Sequence, residues 1–287
     1  MREYRAKCFA CDSVNLRVWA EEGKHTAYKP AKQKTTYPDE PTAEDKIAKA
    51  QKIWRKGWDV KIGSPVWHYL TTERRVLDPN DDVPPIFRQS SYFFEGYAAL
   101  IACTTKTGNI EMVQSILLNH NGSKREFATR NPENDGYGKP TTKRSHGYMQ
   151  NGVWQLVRKK GATVFAYTEG IETALAYRKL RHEPCDVASV ISAGWVDRTP
   201  LPSLQKYKQI IIAFDGDQAG ERATQKRLDR LETQRKKEIA KVKELAGQCG
   251  FTEANENYTK QIEESVAQIV VAPTQSKRDW ADVARSR

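Results

Sequence analysis

The chain has 287 residues, 38% hydrophobic and 29% charged, with a formal net charge of +11. That length suits one large domain or two small ones, and no apolar run approaches the ~18 residues of a membrane span. The positive surplus favours a polyanionic partner, most commonly nucleic acid, over the alternative of a basic enzyme whose charge only aids solubility.

In chain order, three segments are read: residues 1–41, 42–160 and 161–287. The first, which begins MREYRAKCFACDS, lacks an apolar signal core, so no export is expected. Five cysteines without a disulfide-like framework fit a reducing cytoplasm. The prolines and lysines of YKPAKQKTTYPDEPTAED read as a linker.

In the second segment, TAEDKIAKAQKIWRKGWDV predicts a helix, with Thr42 as N-cap and Glu44 and Asp45 in its first turn. SPVWHYLTTERRVL predicts another, capped by Ser64 with Pro65 at the first position. YAALIACTTKTGNIEMVQSILLN predicts a hairpin around a glycine-containing turn. The stretch KREFATRNPENDGYGKPTTKRSHGYM reads as basic loop.

The third segment alternates strand and helix. ATVFAYTEG, CDVASVISAG, KQIIIAFDGD and AQIVVAP are strands; IETALAYRKLR and the charged run after Gly220 are helices. The apolar runs are continuous rather than alternating, as buried parallel strands require, so an α/β unit with a mostly parallel sheet is expected. The long charged helix, with Leu228, Leu231, Ile239, Val242 and Leu245 at near-helical spacing, reads as an amphipathic layer on that sheet. A projecting arm for DNA or a partner is the alternative.

Acidic residues recur where these strands end: Glu169 after VFAY-T, Asp215 and Asp217 after IIIAF, and Asp279 and Asp282 after IVVAP in KRDWADVA. Open parallel sheets bind ligands beyond the carboxyl ends of their strands, so these carboxylates are expected to share one crevice. Like charges packed together repel, and a hard divalent cation such as Mg²⁺ or Mn²⁺ relieves that conflict. Helix capping by Asp215 and Asp217 is the plainer alternative. Ser192 and Gly194, at another strand end, either line the crevice or form a tight turn.

YTEGIETALA followed by IIIAFDGDQAG and KRDWADV resembles the Toprim domain shared by DnaG-type primases, topoisomerases, OLD-type nucleases and RecR-like recombination proteins. The resemblance covers residues 163–283. It implies Glu169 in acid–base chemistry or metal binding, Asp215 and Asp217 as metal ligands, and Asp279 and Asp282 as trailing acidic positions. Primases usually carry an aspartate four residues after the motif glutamate; here Thr173 stands there, with Glu172 before it.

The wider pattern is similar to primases of phages, plasmids and other mobile elements: a smaller α+β basic subdomain preceding the Toprim domain. The resemblance implies DNA replication chemistry, with single-stranded DNA and NTPs as substrates and a replicative helicase acting in trans, since no ATP-binding loop is visible. Lys124, Arg125, Arg130, Lys143 and Arg144 would hold triphosphate or template backbone, and His146 could touch phosphate too. DnaG-type primases usually carry a zinc ribbon; here Cys8 and Cys11 supply one knuckle, and a closed site needs four ligands. A Toprim nuclease and a non-catalytic DNA- or replication-protein-binding module are the competing readings. Cys103, Cys185 and Cys249 are expected to be buried packing residues.

Overall fold

The structure, a computed structural model, describes residues 2–7, 14–20, 40–92, 96–126, 130–131, 136–137, 141–248 and 263–272. The chain divides into two compact units, Met1–Glu40 and Pro41–Arg287. In the first, β1 (Arg2–Lys7) and β2 (Val14–Ala20) pair antiparallel. The sequence reading assigned no strand here, and the linker stretch up to residue 39 lies outside the described residues; Val14, Leu16 and Val18 alternate with polar residues at the strand period, which is the local signal for β2. Cys8, Cys11 and Cys249 lie outside the described residues.

In the second unit, Thr42 caps α1 (Ala43–Lys56). Its hydroxyl accepts from the Asp45 amide while the Asp45 carboxylate accepts from the Thr42 amide. Ser64 caps α2 (Pro65–His68), but the helix predicted there continues as a π-helical turn, Tyr69–Glu73. That wider turn matters below, because it carries Tyr69 and leads to Arg74.

Strands β3 (Phe87–Tyr92), β4 (Gly96–Thr104), β5 (Ile110–Leu118) and β8 (Lys143–Gly147) form an antiparallel sheet in the order β3-β4-β5-β8. The pair β6 (Arg130–Asn131) and β7 (Gly136–Tyr137) stands beside it in sequence. The predicted hairpin is β4–β5, with a register shift between Cys103 and Thr104. One face of this sheet presents Ala98, Leu100, Val113 and Leu117 to Ala50, Ile53 and Trp54 of α1. At the end of β8, Gly147 has φ +113°, and a Cβ there would lie 2.2 Å from the Glu111 carbonyl oxygen, so only glycine closes this strand against β5.

Strand β9 (Gln155–Val157) leads into β10 (Val164–Thr168), α3 (Ile171–Leu180), β11 (Cys185–Ser189), β12 (Gln209–Ile212), α4 (Gln218–Gln248) and β13 (Gln268–Val271). The sheet order is β13-β12-β10-β11-β9, with β10 to β13 parallel and β9 antiparallel at one edge. This is the mostly parallel α/β sheet expected from the continuous apolar runs.

Helix α3 is buried from Ile171 through Tyr177 because apolar side chains of both sheets meet it. A single apolar cluster joins Ala99, Ile101, Ile116 and Leu118 of the antiparallel sheet to Val164, Ala166, Val187 and Ile211 of the parallel one. The opposite face of the parallel sheet, with Phe165, Tyr167, Ile210 and Ile212, is covered by Ala223 and Leu231 of α4 and by Leu204 and Tyr207. Leu228 and Ile239 also pack there, whereas Leu245 near the helix end is 51% exposed. The first part of α4 is thus the amphipathic layer the sequence suggests. Cys103 and Cys185 are buried, as expected.

Candidate active site

Strand β10 has β11 on one side and β12 on the other. The chain leaves β10 through α3 to reach β11, then crosses to β12 and leaves through α4 to reach β13. Strand order therefore reverses at β10, and the crevice between β10 and β12 is the topological switch point where open α/β sheets receive ligands. Glu169 follows the end of β10, and Asp215 and Asp217 follow β12, in register as neighbours since Tyr167 pairs with Ile212.

Glu169 is half-buried. Its Oε1 accepts from the backbone N–H of Ala193 at 3.3 Å, and its own carbonyl accepts from the Ser189 hydroxyl at 2.8 Å. Burial pushes its carboxyl above the usual range, and the negative charge of Asp217 adds to that; the Ala193 amide and Lys143 act in the other direction. Ala193 opens a 3₁₀ turn, Ala193–Trp195. To reach it the chain passes Ile191 at φ +75°, a left-handed conformation that costs a β-branched residue on the order of 1–3 kcal/mol. The segment SAG, read as either crevice lining or turn, forms a turn, and its Ala193 amide meets Glu169.

Asp217 is exposed at the start of α4. Its Oδ1 accepts from the Gly220 N–H at 2.7 Å and its carbonyl from the Glu221 N–H at 2.9 Å, so it is the helix cap. Capping uses Oδ1, and the Asp217 charge is felt at Glu169. Asp215 is half-buried, and its backbone lies directly under Gly220: a Cβ on Gly220 would sit 2.0 Å from the Asp215 carbonyl oxygen. Glycine at this position lets α4 start tightly over the strand end. Among the described residues, no three His, Cys, Asp or Glu side chains close on one point as a ready-made metal cage would. Asp279 and Asp282 lie outside the described residues.

A cationic group borders these acids. The carboxylate of Glu172, one helical turn after Glu169, is buried and accepts from the Tyr69 hydroxyl at 2.5 Å and from Lys143 Nζ at 2.7 Å. Lys124 Nζ lies 2.7 Å from its Oε1, and Arg74 Nε lies 2.8 Å from the same oxygen as an ion pair without hydrogen-bond alignment. Lys124 also stands over the Tyr69 ring, 5.8 Å from its centroid. Sequence reasoning singled out Lys124 and Lys143 but missed Tyr69 and Arg74. The local signal was the acid in the first turn of α3; its partners come from positions far away in the chain.

Lys143 pairs with Ile116, whose side chain enters the core between the sheets, whereas Arg144 and His146 pair with Ser115 and Val113 on the face that α1 covers. His146 Nε2 is 3.4 Å from the Ser115 hydroxyl. Burial, then Arg144 and Lys49, lower the His146 pKa. Arg125 is exposed. The Arg130 side chain lies outside the described residues.

Although burial opposes it, the charges of Lys143, Arg74 and Lys124 hold the Glu172 carboxyl far below the usual carboxylate range. A depressed folded-state pKa stabilises the fold fully above the unfolded value of about 4.3, and this stabilisation fades as pH falls through the lower folded value. Thermal denaturation of the wild type and Glu172→Gln should therefore show a gap that is constant from pH 7 down to about 4.5 and narrows below it. A gap that does not change with pH would contradict an ionised Glu172 in the fold.

Residues 166–248 match a family model described as Toprim-like. No curated protein matches the chain in sequence. Among solved structures, the chain is similar to the primase fragment of the bacteriophage T7 primase-helicase protein, with 15% identity, coverage of 49% of this chain and 52% of that one, and a TM-score of 0.33. The DnaG catalytic core has 11% identity, coverage of 66% and 49%, and a TM-score of 0.34. A DNA primase domain from Pseudomonas aeruginosa has 12% identity, coverage of 70% and 52%, and a TM-score of 0.34. The chain thus spans about half the length of these chains. No helix among the described residues is long and apolar enough to cross a membrane.

Proposed function

We propose that this chain, whose residues 166–248 form a Toprim-like domain, is a DNA primase that joins nucleoside triphosphates into short oligonucleotides on single-stranded DNA. The observation that carries this reading is the meeting of two opposite charge groups at the switch point: carboxylates at the ends of β10 and β12, and cations gathered on Glu172 beside them. Nucleotidyl transfer needs both, since acids hold cations near the reacting oxygens and bases hold phosphates.

The donor set fits Mg²⁺ or Mn²⁺. Such ions are held by one or two carboxylates together with water and substrate phosphates rather than by a closed protein cage, and Glu169 and Asp217 lie close enough for their charges to interact. Glu169, Asp215 and Asp217 would hold the metal, with Asp279 and Asp282 as further candidates; Cys8 and Cys11 supply only two of the four ligands a structural zinc site needs. When bound, the metal lowers the pKa of the attacking 3′-hydroxyl and neutralises charge on the phosphates. If Glu169 is instead left off the metal, its pKa, raised by burial, suits it to take the hydroxyl proton. The new bond joins the 3′-oxygen to the α-phosphorus, and the bond to the β-phosphate breaks, releasing pyrophosphate. Lys124 and Lys143 meet the triphosphate, and Arg125, Arg130 and Arg144 the template backbone. In this scheme residues 1–41 are an N-terminal segment, 42–160 the basic subdomain and 161–287 the Toprim domain, with a replicative helicase as a partner in trans.

The test is to incubate the protein with single-stranded DNA, labelled NTPs and Mg²⁺ or Mn²⁺ and resolve the products by size. Short oligomers that depend on NTPs are expected. DNA shortened without added NTPs would replace this reading by a nuclease, and DNA binding with neither product by a non-catalytic module.

A further inference from the structure

The resemblance to primases leaves Glu172 without a role, because it stands one position before the place where an aspartate is usual. Its surroundings exclude the simplest substitute role, that of metal ligand. Oε1 is approached by Tyr69, Arg74 and Lys124, and Oε2 by Lys143, all within 2.8 Å. A cation could reach this carboxylate only by displacing a resident ammonium or guanidinium.

A purely structural role is equally ill-matched to the charge count. One cation balances one carboxylate; three gather on Glu172, and although Glu169 offsets part of the Lys143 charge, the group keeps a positive surplus that an anion can complete. The group is open to receive one. The side chains of Arg74, Lys124 and Lys143 keep 16%, 29% and 37% of their exposure, while Glu172 keeps 7%. Lys143 also lies within electrostatic reach of Glu169. Burial lowers the Lys124 pKa, as an incompletely compensated ammonium requires.

We propose that Glu172 is a positioning residue: from the first turn of α3 it gathers Arg74, Lys124 and Lys143 into a fixed cationic group that meets the triphosphate of the incoming nucleotide beside Glu169. This rests on the primase reading above. The carboxylate acts through the three cations and touches neither substrate nor metal. Its negative charge opposes phosphate binding, so its contribution is geometric: it fixes the cations where charge develops on the leaving pyrophosphate.

Two measurements on the same proteins decide the matter: steady-state primer synthesis, and calorimetric binding of inorganic tripolyphosphate without metal. In Glu172→Gln, kcat should fall about 30-fold or more, as expected for cations displaced by a fraction of an ångström. Tripolyphosphate should bind at least as tightly as to the wild type, because an opposing charge is gone. Glu172→Asp should recover part of kcat.

The proposal is overturned if Glu172→Gln keeps kcat, if it loses tripolyphosphate binding together with kcat (the pattern of a collapsed seam), or if its Mg²⁺ dependence shifts, as for a metal ligand. Should the wild type bind tripolyphosphate but make no primers, primer synthesis is the reading that fails. Lys124→Met and Lys143→Met then decide on binding alone. A loss of about tenfold in each supports the Glu172-held cation group as a polyphosphate site, and unchanged affinity overturns it.

Discussion

Asp217→Asn is expected to reduce primer synthesis at least about 10²- to 10³-fold while leaving the fold intact. Asparagine keeps an oxygen that can accept the Gly220 N–H and is as good a helix cap as aspartate. The substitution therefore removes the negative charge and spares the cap. Thermal stability should hold or rise slightly, because the repulsion between Asp217 and Glu169 disappears. Asp215→Asn should lower activity to the same extent, and single-stranded DNA affinity should change little in either variant, because the cations proposed to hold phosphate are untouched. Measured turnover, melting temperature and DNA affinity check this together. Retention of activity within about three-fold in Asp217→Asn would reduce Asp217 to a capping residue and remove the reason for placing a metal at the strand ends.

The second large effect is on stability. Arg227, on α4, is fully buried, with its guanidinium 4.3 Å from the centroid of the Tyr167 ring. Nη2 donates to the Val196 carbonyl at 2.5 Å, and Nη1 to the carbonyls of Thr199 and Pro200 at 3.4 Å. Tyr167 donates its hydroxyl to the Pro200 carbonyl, and Arg230 adds donors to Val196 and Thr199. Burial lowers the Arg227 pKa to about 10, which still leaves it charged at neutral pH. Arg227→Met fills much of the volume but leaves the Val196, Thr199 and Pro200 carbonyls only the donors of Arg230 and Tyr167. A loss of roughly 1–3 kcal/mol follows from the lost hydrogen bonds, on the order of 5 °C in melting temperature. The same loop begins at Ala193, whose amide meets Glu169, so activity measured well below the melting temperature should fall as well. A variant that melts within about 2 °C of the wild type would show that Arg230 and Tyr167 hold the loop by themselves.

The parts legible in the sequence were those with a strong local pattern. The strand-EG-helix and strand-DGD-helix units declared themselves through continuous apolar runs followed by an acid and a glycine, and the Thr42 and Ser64 caps through their spacing. Strands with weak local signals were not visible. Three residues of β9 are too few for a period to show. β8 reads Lys-Arg-Ser-His-Gly, the charged composition of a sheet edge, which in sequence cannot be told from a loop. Of capping and catalysis, weighed as alternatives for Asp217, the cap is present, and since it uses one of two carboxylate oxygens it does not preclude the proposed metal role. Glu172 shows what lay beyond reach: its partners Tyr69, Arg74, Lys124 and Lys143 come from the π-helical turn and the residue after it, from the segment after β5, and from β8. No window of sequence contains such a group, since only the packing of α3 between two sheets assembles it.

That packing has a further consequence. The apolar cluster around α3 draws side chains from Val66 to Ala213, so neither sheet owns a complete hydrophobic interior. Severing the chain between β9 and β10 would leave each half with one wall of a shared room. Calorimetry of residues 41–287 should accordingly record a single endotherm, and amide exchange in β4 and β10 should require one and the same global opening.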